Sequence, residues 1–129
     1  MRCMPKLIAI IDDEAEMEFI YGMLLEEYIQ TKQVRMEFFS DSRHFILWLQ
    51  NNHPDLVLSD INMPYVTGPE LGHRIRESGR TIPTYFISGH DETEYTAKMN
   101  QLGSCRYVAK PINVAHFLQH LKTDLTLKG

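Results

Sequence analysis

The sequence lacks the features that direct a chain to a membrane, to nucleic acid or to a disulfide-forming compartment. Its longest apolar runs, Leu7–Ile11 and Phe45–Leu49, have five residues each, whereas a bilayer span needs roughly 20. Thirteen basic against 17 acidic residues give a net charge of −4, which offers no general attraction to phosphate backbones or anionic lipids. Two cysteines, Cys3 and Cys105, are too few for a disulfide framework or a zinc cluster. We therefore expect a cytoplasmic protein that binds neither membranes nor nucleic acid directly.

Short apolar runs alternate with helical stretches along all 129 residues, without a linker, an internal repeat or a low-complexity tract. This length has room for one domain, and we assign residues 1–129 to it. Val34–Phe38 alternates apolar and charged residues, which predicts a half-exposed strand at a sheet edge. The other predicted strands are almost wholly apolar, as in parallel sheets covered by helices: Lys6–Ile11, Leu56–Ser59, Thr84–Ile87 and Cys105–Ala109.

Capping residues mark the starts of most predicted helices. Thr67 and Glu70 have the spacing of a capping box, and Asn113 can cap the last helix. The first helix, from Glu14 to about Ile29, is predicted from an apolar stripe of Met17, Ile20, Tyr21, Leu24 and Tyr28. The remaining helices are predicted from Ser40 or Asp41 to about Asn51, after Thr67, from Asp91 to about Leu102, and after Asn113.

Five repeats of strand followed by helix predict an α/β fold with a doubly wound, five-stranded parallel sheet and five helices. Right-handed crossovers, with Val34–Phe38 at an edge, favour the strand order 2-1-3-4-5 of flavodoxin-like folds. In such a sheet, ligands bind beyond the carboxyl ends of the strands, where the strand order reverses.

Polar residues stand at these predicted strand ends. The first strand runs into Asp12 and Asp13, the third into Asp60, the fourth into Ser88 and the fifth into Lys110. Because neighbouring strands lie about 4.8 Å apart, these residues should meet on one rim. Clustered carboxylates without histidine or cysteine suit a hard cation such as Mg²⁺. One carboxylate could then act as the nucleophile toward a phosphoryl group.

Each of these residues also has an ordinary structural explanation when it is taken alone. Asp12 or Asp13 could cap a helix, Asp60 could open a turn, and Ser88 could be a cap. Lys110 could be a solvated loop lysine. The appearance of one such residue or pair at four strand ends is the observation that favours a functional site.

The chain resembles the receiver domains of two-component response regulators, and among them most of all the stand-alone chemotaxis type. The resemblance covers nearly the whole chain, with the motifs in order. They are Leu7–Ile11 followed by Asp12-Asp13, then Asp60-Ile61-Asn62-Met63-Pro64 with Gly68, then Ser88, Gly103 and Tyr107-Val108-Ala109-Lys110-Pro111.

The resemblance implies a role for each of these residues. Asp60 would be the phosphorylated aspartate, assisted by Lys110 and Ser88, and Tyr107 would be an aromatic switch that responds to Ser88. Mg²⁺ would bind Asp13, Asp60 and the backbone carbonyl of Asn62, with Asp12 acting mainly through water. The Lys110–Pro111 bond is expected to be cis. Asn62 and His90 would tune the access of water to the acyl phosphate and hence dephosphorylation.

The resemblance also implies partners. The phosphoryl donor would be a histidine kinase or a phosphotransfer protein, and a downstream target protein would bind the face formed by residues 91–122. A homodimer that forms on phosphorylation stays open. So does the choice between a single-domain regulator and a receiver cut from a longer protein.

Three other functions remain as alternatives. A phosphotransfer enzyme similar to the haloacid dehalogenases would use Asp60 on external substrates, although Asn62 stands where those enzymes have a second acid. A flavodoxin-like flavin carrier shares the fold, but Asp12-Asp13-Glu14 would repel its phosphate. A constitutive protein-interaction module would not use the pocket at all.

Overall fold

Five parallel strands form the centre of the structure, a computed structural model that describes residues 4–61, 65–89 and 105–128. The strand order is β2-β1-β3-β4-β5, and every pairing is parallel. The predicted doubly wound sheet and its strand order are therefore confirmed. The strands are β1 (Lys6–Ile11), β2 (Val34–Phe39), β3 (Leu56–Asp60), β4 (Thr84–Ser88) and β5 (Cys105–Ala109).

Helices cover both faces of this sheet. Within the described residues they are α1 (Met17–Leu24), α2 (Glu26–Gln30), α3 (Ser42–Leu49), α4 (Gly68–Glu77) and α5 (Val114–Leu125). Tyr21, Tyr28 and Phe117 pack with Ile8 and Ile10 of β1 on one face. On the other face Phe45 of α3 and Leu71 of α4 pack with Ala9 and Ile11 of β1. The alternation of β1 side chains thus supplies both layers of the core.

The predicted first helix is wrong in two details. It begins at Met17 rather than Glu14, and it is interrupted at Leu25, whose backbone leaves the helical region with ψ near 3°. Leu25 is fully buried, so burial of its side chain accompanies the break. Ile20, predicted to belong to the apolar stripe, is 39% exposed. The predicted helix from Asp91 to about Leu102 lies outside the described residues.

Three of the predicted helix caps are confirmed. The Asp41 carboxylate accepts a hydrogen bond from the Arg43 amide at 2.8 Å and caps α3. The Thr67 hydroxyl accepts one from the Glu70 amide at 3.4 Å, and the Asn113 side chain accepts one from the His116 amide at 3.1 Å. Each cap satisfies an amide that has no partner within its helix. The Asp41 cap places the start of α3 directly after the carboxyl end of β2.

A polar network that the sequence did not predict fastens α5 to the sheet. The Arg106 guanidinium of β5 binds the Asp124 carboxylate of α5 through two hydrogen bonds of 2.8 and 3.1 Å. The buried Tyr85 hydroxyl of β4 donates to the same carboxylate at 2.5 Å. The hydrogen bonds from Arg106 contribute most to lowering the pKa of Asp124. One carboxylate therefore links two strands to the last helix.

Asp124→Asn is expected to destabilise the fold by about 1–3 kcal/mol at pH 7, because it removes charge-assisted hydrogen bonds. The pKa of Asp124 is depressed in the folded state, so its stabilisation is present above the unfolded value of 3.8. That stabilisation is lost as the pH falls through the folded value. Urea unfolding at pH 7 should therefore give the variant a lower free energy of unfolding than the unmodified chain. Below pH 4 this difference should be smaller. Gln119→Ala, on the exposed side of α5, is the control. Equal free energies of unfolding for Asp124→Asn and the unmodified chain at pH 7 would contradict the expectation.

Candidate metal centre

The strand register aligns the predicted site residues along one edge of the sheet. Ile11 of β1 pairs with Ser59 of β3, so Asp12 and Asp60 come next on neighbouring strands. The ladder continues past the strand ends, where the Ile61 amide donates to the Ile87 carbonyl at 3.1 Å. Residues that are far apart in sequence are therefore brought to one rim by backbone hydrogen bonds.

Three carboxylates meet at this rim. Asp12, Asp13 and Asp60 each place an oxygen within 4.8 Å of the others. Asp12 is 1% exposed, Asp60 is partly buried and Asp13 is exposed. Within the described parts of the chain, no other group of three or more histidine, cysteine or acidic side chains could hold a metal ion. The convergence predicted from the strand ends is confirmed.

Asp12 is not the cap of the following helix. Its carboxylate accepts a hydrogen bond from the Glu14 amide at 2.9 Å, whereas α1 begins only at Met17 and its first turn has no side-chain cap. Burial, together with the charges of Asp60 and Asp13, raises the pKa of Asp12 to about 6, although the hydrogen bond from the Glu14 amide and the charge of Lys110 act in the opposite direction. A buried carboxylate with acidic neighbours therefore carries an electrostatic cost that a bound cation would relieve.

Such a cluster has the chemistry of a divalent-cation site. Two negative charges 4 Å apart repel each other by about 4 kcal/mol at an effective dielectric constant near 20. The donors are carboxylate oxygens, which suit hard cations such as Mg²⁺. The solvent exposure of Asp13 leaves one side of the cluster accessible. The residues present therefore fit a Mg²⁺ ion that retains water or phosphate ligands.

Lys110 brings a positive charge to the same carboxylates. Its Nζ lies 3.7 Å from Oδ2 of Asp60, and its backbone amide donates to the Ser88 carbonyl at 2.7 Å. The Lys110–Pro111 peptide bond is cis, as the resemblance implied. The ends of β4 and β5 thus hold this amine beside the predicted phospho-acceptor.

Ser88 and Tyr107 lie on β4 and β5, the two strands that follow β3 across the sheet. Ser88 is 2% exposed and is the last residue of β4. Tyr107 is partly buried against Ile61 and Phe86, and Ile61 directly follows Asp60. Tyr107 also lines a cavity of about 270 Å³ between β5 and α5, together with His116 and His120. The predicted switch residue therefore contacts both the segment after Asp60 and a surface recess.

Two predicted site residues, Asn62 and His90, lie outside the described residues, and so do positions 91–104 of the predicted target-binding face. Only residues 105–122 of that face are described. None of the helices in the described ranges combines the length and the hydrophobicity that a membrane-spanning helix requires.

Sequence reasoning missed one cation–π contact between the segments that follow β2 and β3. The Arg43 guanidinium lies 3.6 Å from the centre of the Tyr65 ring. Tyr65 belongs to the loop between β3 and α4, and its φ is +73°. Asp41-Ser42-Arg43 follows β2 closely enough to place a basic residue near the rim, but nothing in the sequence indicates which side chain it meets.

Comparison with known proteins identifies relatives that match most of the chain. Residues 8–122 match the family described as the response regulator receiver domain. A DNA-binding transcriptional regulator NtrC of Proteus hauseri is 25% identical over 117 residues, covering 91% of this chain and 24% of the relative. The sensor histidine kinase RcsC of Escherichia coli K12 is 29% identical over 121 residues, covering 94% of this chain and 12% of the relative.

A solved structure shares the fold over almost its full length. It is the signal receiver domain of an HD domain-containing protein from Pseudomonas fluorescens Pf-5, with a TM-score of 0.83, 23% sequence identity and 95% of each chain covered. The chain spans a quarter or less of the length of the two curated relatives above. It therefore matches one module that occurs in proteins of different overall activity.

Proposed function

The chain belongs to the response regulator receiver domain family, and from this premise we propose that it is a phosphorylation-dependent signalling switch of a two-component system. Asp60 accepts the phosphoryl group, and the modified domain changes its affinity for a partner protein. The observation that carries the proposal is the cluster of Asp12, Asp13 and Asp60 with Lys110 Nζ 3.7 Å from Asp60. This cluster provides a nucleophile, a cation site and a fixed positive charge at one rim.

Mg²⁺ is the cofactor of this proposal. The carboxylates of Asp13 and Asp60 and the backbone carbonyl of Asn62 would hold it, with Asp12 acting mainly through water. When bound, the ion supplies positive charge that offsets the carboxylates and the oxygens of the incoming phosphoryl group. The buried Asp12 carboxylate, whose burial disfavours the charged form, supports the assignment.

Phosphoryl transfer begins with attack of an Asp60 carboxylate oxygen on the phosphorus of a phosphohistidine. The new O–P bond forms as the P–N bond breaks, and the electron pair of that bond stays with the imidazole, which then takes up a proton. Lys110 offsets the negative charge on the phosphoryl oxygens, and the Ser88 hydroxyl donates a hydrogen bond to one of them. The donor is a histidine kinase or a phosphotransfer protein in the cytoplasm.

The output of the switch is a protein contact. The new bonds from Ser88 and Lys110 favour one arrangement of the segment around Tyr107, which lies beside Ile61. Moving a two-state equilibrium from 1:99 to 99:1 takes about 5.5 kcal/mol, and several charge-assisted hydrogen bonds supply part of that. The target protein would bind the face of residues 91–122. Asn62 and His90 would set the lifetime of the phosphorylated state.

The chain acts on itself rather than on external substrates. Its catalysis is limited to its own phosphorylation and dephosphorylation. A phosphotransfer enzyme would turn over small phosphate esters many times. A constitutive interaction module would bind its partner equally well with and without modification of Asp60.

Intact-mass measurement after incubation with acetyl phosphate tests the proposal. With Mg²⁺, the chain should gain one acid-stable, base-labile phosphoryl group, because an acyl phosphate hydrolyses readily in base. With a chelator in place of Mg²⁺, incorporation should fall at least about tenfold. Equal incorporation with and without the chelator, or none in either case, would overturn the proposal. Repeated turnover of a phosphate ester would favour the enzyme instead.

A further inference from the structure

Two histidines of α5 face the same recess. His116 and His120 are four residues apart on this helix, and both line the cavity of about 270 Å³ between β5 and α5. Side chains at this spacing lie on one face of a helix, with Cβ atoms about 5–6 Å apart. His116 is exposed and His120 is partly buried. Both imidazoles can therefore reach a single ion at the mouth of the recess.

Contacts along α5 fix the helix that carries this pair. At its start, the His116 amide donates to the Asn113 side chain at 3.1 Å. Between the two histidines, Phe117 is buried against the sheet. Near the end of the helix, Asp124 binds Arg106 of β5 through two hydrogen bonds. The helix therefore presents the two imidazoles at a fixed spacing, as a metal site requires.

The surroundings of the pair suit a cation. Among the described residues, those that line the recess include no lysine, arginine or acidic side chain. Asp124 comes one turn after His120 on α5. The hydrogen bonds from Arg106 contribute most to lowering the pKa of Asp124, and the charge of His120 acts in the same direction, although burial opposes both. A carboxylate that interacts with the charge of His120 would also stabilise a metal ion bound to that imidazole.

We propose that His116 and His120 form a second metal site, which binds the transition-metal ion Zn²⁺ through one nitrogen of each imidazole. Two histidines four residues apart on a helix are the pair through which H-E-x-x-H helices bind zinc. Imidazole nitrogen suits Zn²⁺, whereas Mg²⁺ prefers oxygen ligands. Water would complete the coordination shell. Because the chain supplies two ligands only, we expect an affinity in the micromolar range.

This site is separate from the carboxylate cluster in position and in chemistry. The ion would lie in the recess that Tyr107 also lines, within the described part of the predicted target-binding face. The inference does not depend on phosphorylation of Asp60, so its failure would leave the proposed function untouched.

Calorimetric titration with Zn²⁺ in the presence of excess Mg²⁺ tests the pair, because Mg²⁺ competes for the carboxylate cluster. The unmodified chain should show a Zn²⁺-binding event that excess Mg²⁺ does not abolish. His116→Gln and His120→Gln should each weaken that event at least about tenfold, because the second ligand of a chelate binds intramolecularly. His44→Gln and His73→Gln, which remove exposed histidines of α3 and α4, are the matched controls and should bind Zn²⁺ normally.

Moving one histidine along α5 separates chelation from independent binding. The variant His120→Gln/Thr123→His keeps the number of histidines but places the two about 10 Å apart along the helix axis, and it should lose Zn²⁺ binding as His120→Gln does. Thr123 is exposed, and circular dichroism verifies the fold. Zn²⁺ binding by this variant as tight as that of the unmodified chain would overturn the proposal. So would single variants that retain full affinity, or an unmodified chain that binds no Zn²⁺ beside excess Mg²⁺.

Discussion

An Asp60→Asn variant should incorporate at least about 100-fold less phosphoryl group than the unmodified chain when both receive acetyl phosphate and Mg²⁺. The reason is chemical, because a neutral amide oxygen is a far weaker nucleophile than a carboxylate. We do not expect Asp12 or Asp13 to replace it, since Lys110 Nζ lies 3.7 Å from the carboxylate of Asp60. The substitution also removes one negative charge from the cluster, so the variant should fold normally.

Intact mass after an acid quench, recorded at several times, measures this loss. Glu37→Gln is the matched control, because Glu37 is an exposed carboxylate on the edge strand β2, away from the rim, and it should be phosphorylated as fast as the unmodified chain. Circular dichroism verifies that both variants are folded. Equal incorporation by Asp60→Asn and the unmodified chain would place the acceptor on another residue.

Asp12→Asn should stabilise the metal-free protein at neutral pH and reduce its response to Mg²⁺. Asp12 is 1% exposed, and burial raises its pKa from 3.8 to about 6. An acid whose pKa is raised in the folded state destabilises the fold as pH rises from the unfolded to the folded value. A pKa shift of that size lowers the free energy of unfolding by about 3 kcal/mol above pH 6. The amide is neutral and its oxygen can still accept from the Glu14 amide, so the variant should melt several degrees higher.

Thermal melts with and without Mg²⁺ at pH 7.5 give both parts of this result. The unmodified chain should be stabilised strongly by Mg²⁺ and the variant weakly, since the cation loses one of its acidic neighbours. Between pH 4 and pH 7 the metal-free unmodified chain should lose stability while the variant changes less. Glu16→Gln, an exposed acid just before α1, should behave as the unmodified chain does. A lower metal-free melting temperature for Asp12→Asn would contradict the electrostatic explanation.

The sequence predicted the sheet and the carboxylate cluster because both follow from chain topology. Near-continuous apolar strands with helical crossovers leave few ways to order a parallel sheet, and the alternation in Val34–Phe38 selects one edge. Once the strand order is given, the backbone alone brings Asp12, Asp60 and Lys110 to the same edge of the sheet. The caps at Thr67 and Asn113 were predictable for a similar reason, because they depend on residues only three apart.

The features that sequence did not predict depend on long-range side-chain contacts or on local balances of burial. The break at Leu25 lies inside an unbroken helical pattern, and packing of a buried residue accompanies it. Arg106 and Asp124 are 18 residues apart, and neither stands in a motif that indicates the other. The contact of Arg43 with Tyr65 joins the first turn of α3 to the loop before α4, and a tyrosine is not the residue that a left-handed position predicts.

The hydrogen bond between the Lys110 amide and the Ser88 carbonyl has a consequence for the evolution of the domain. It sets the spacing of two predicted site residues, Ser88 and Lys110, through main-chain atoms, which every residue type provides. Substitutions in the surrounding core can therefore accumulate while the alignment of these groups persists. Main-chain contacts of this kind are compatible with the 23% sequence identity at which this chain shares the fold of a solved signal receiver domain.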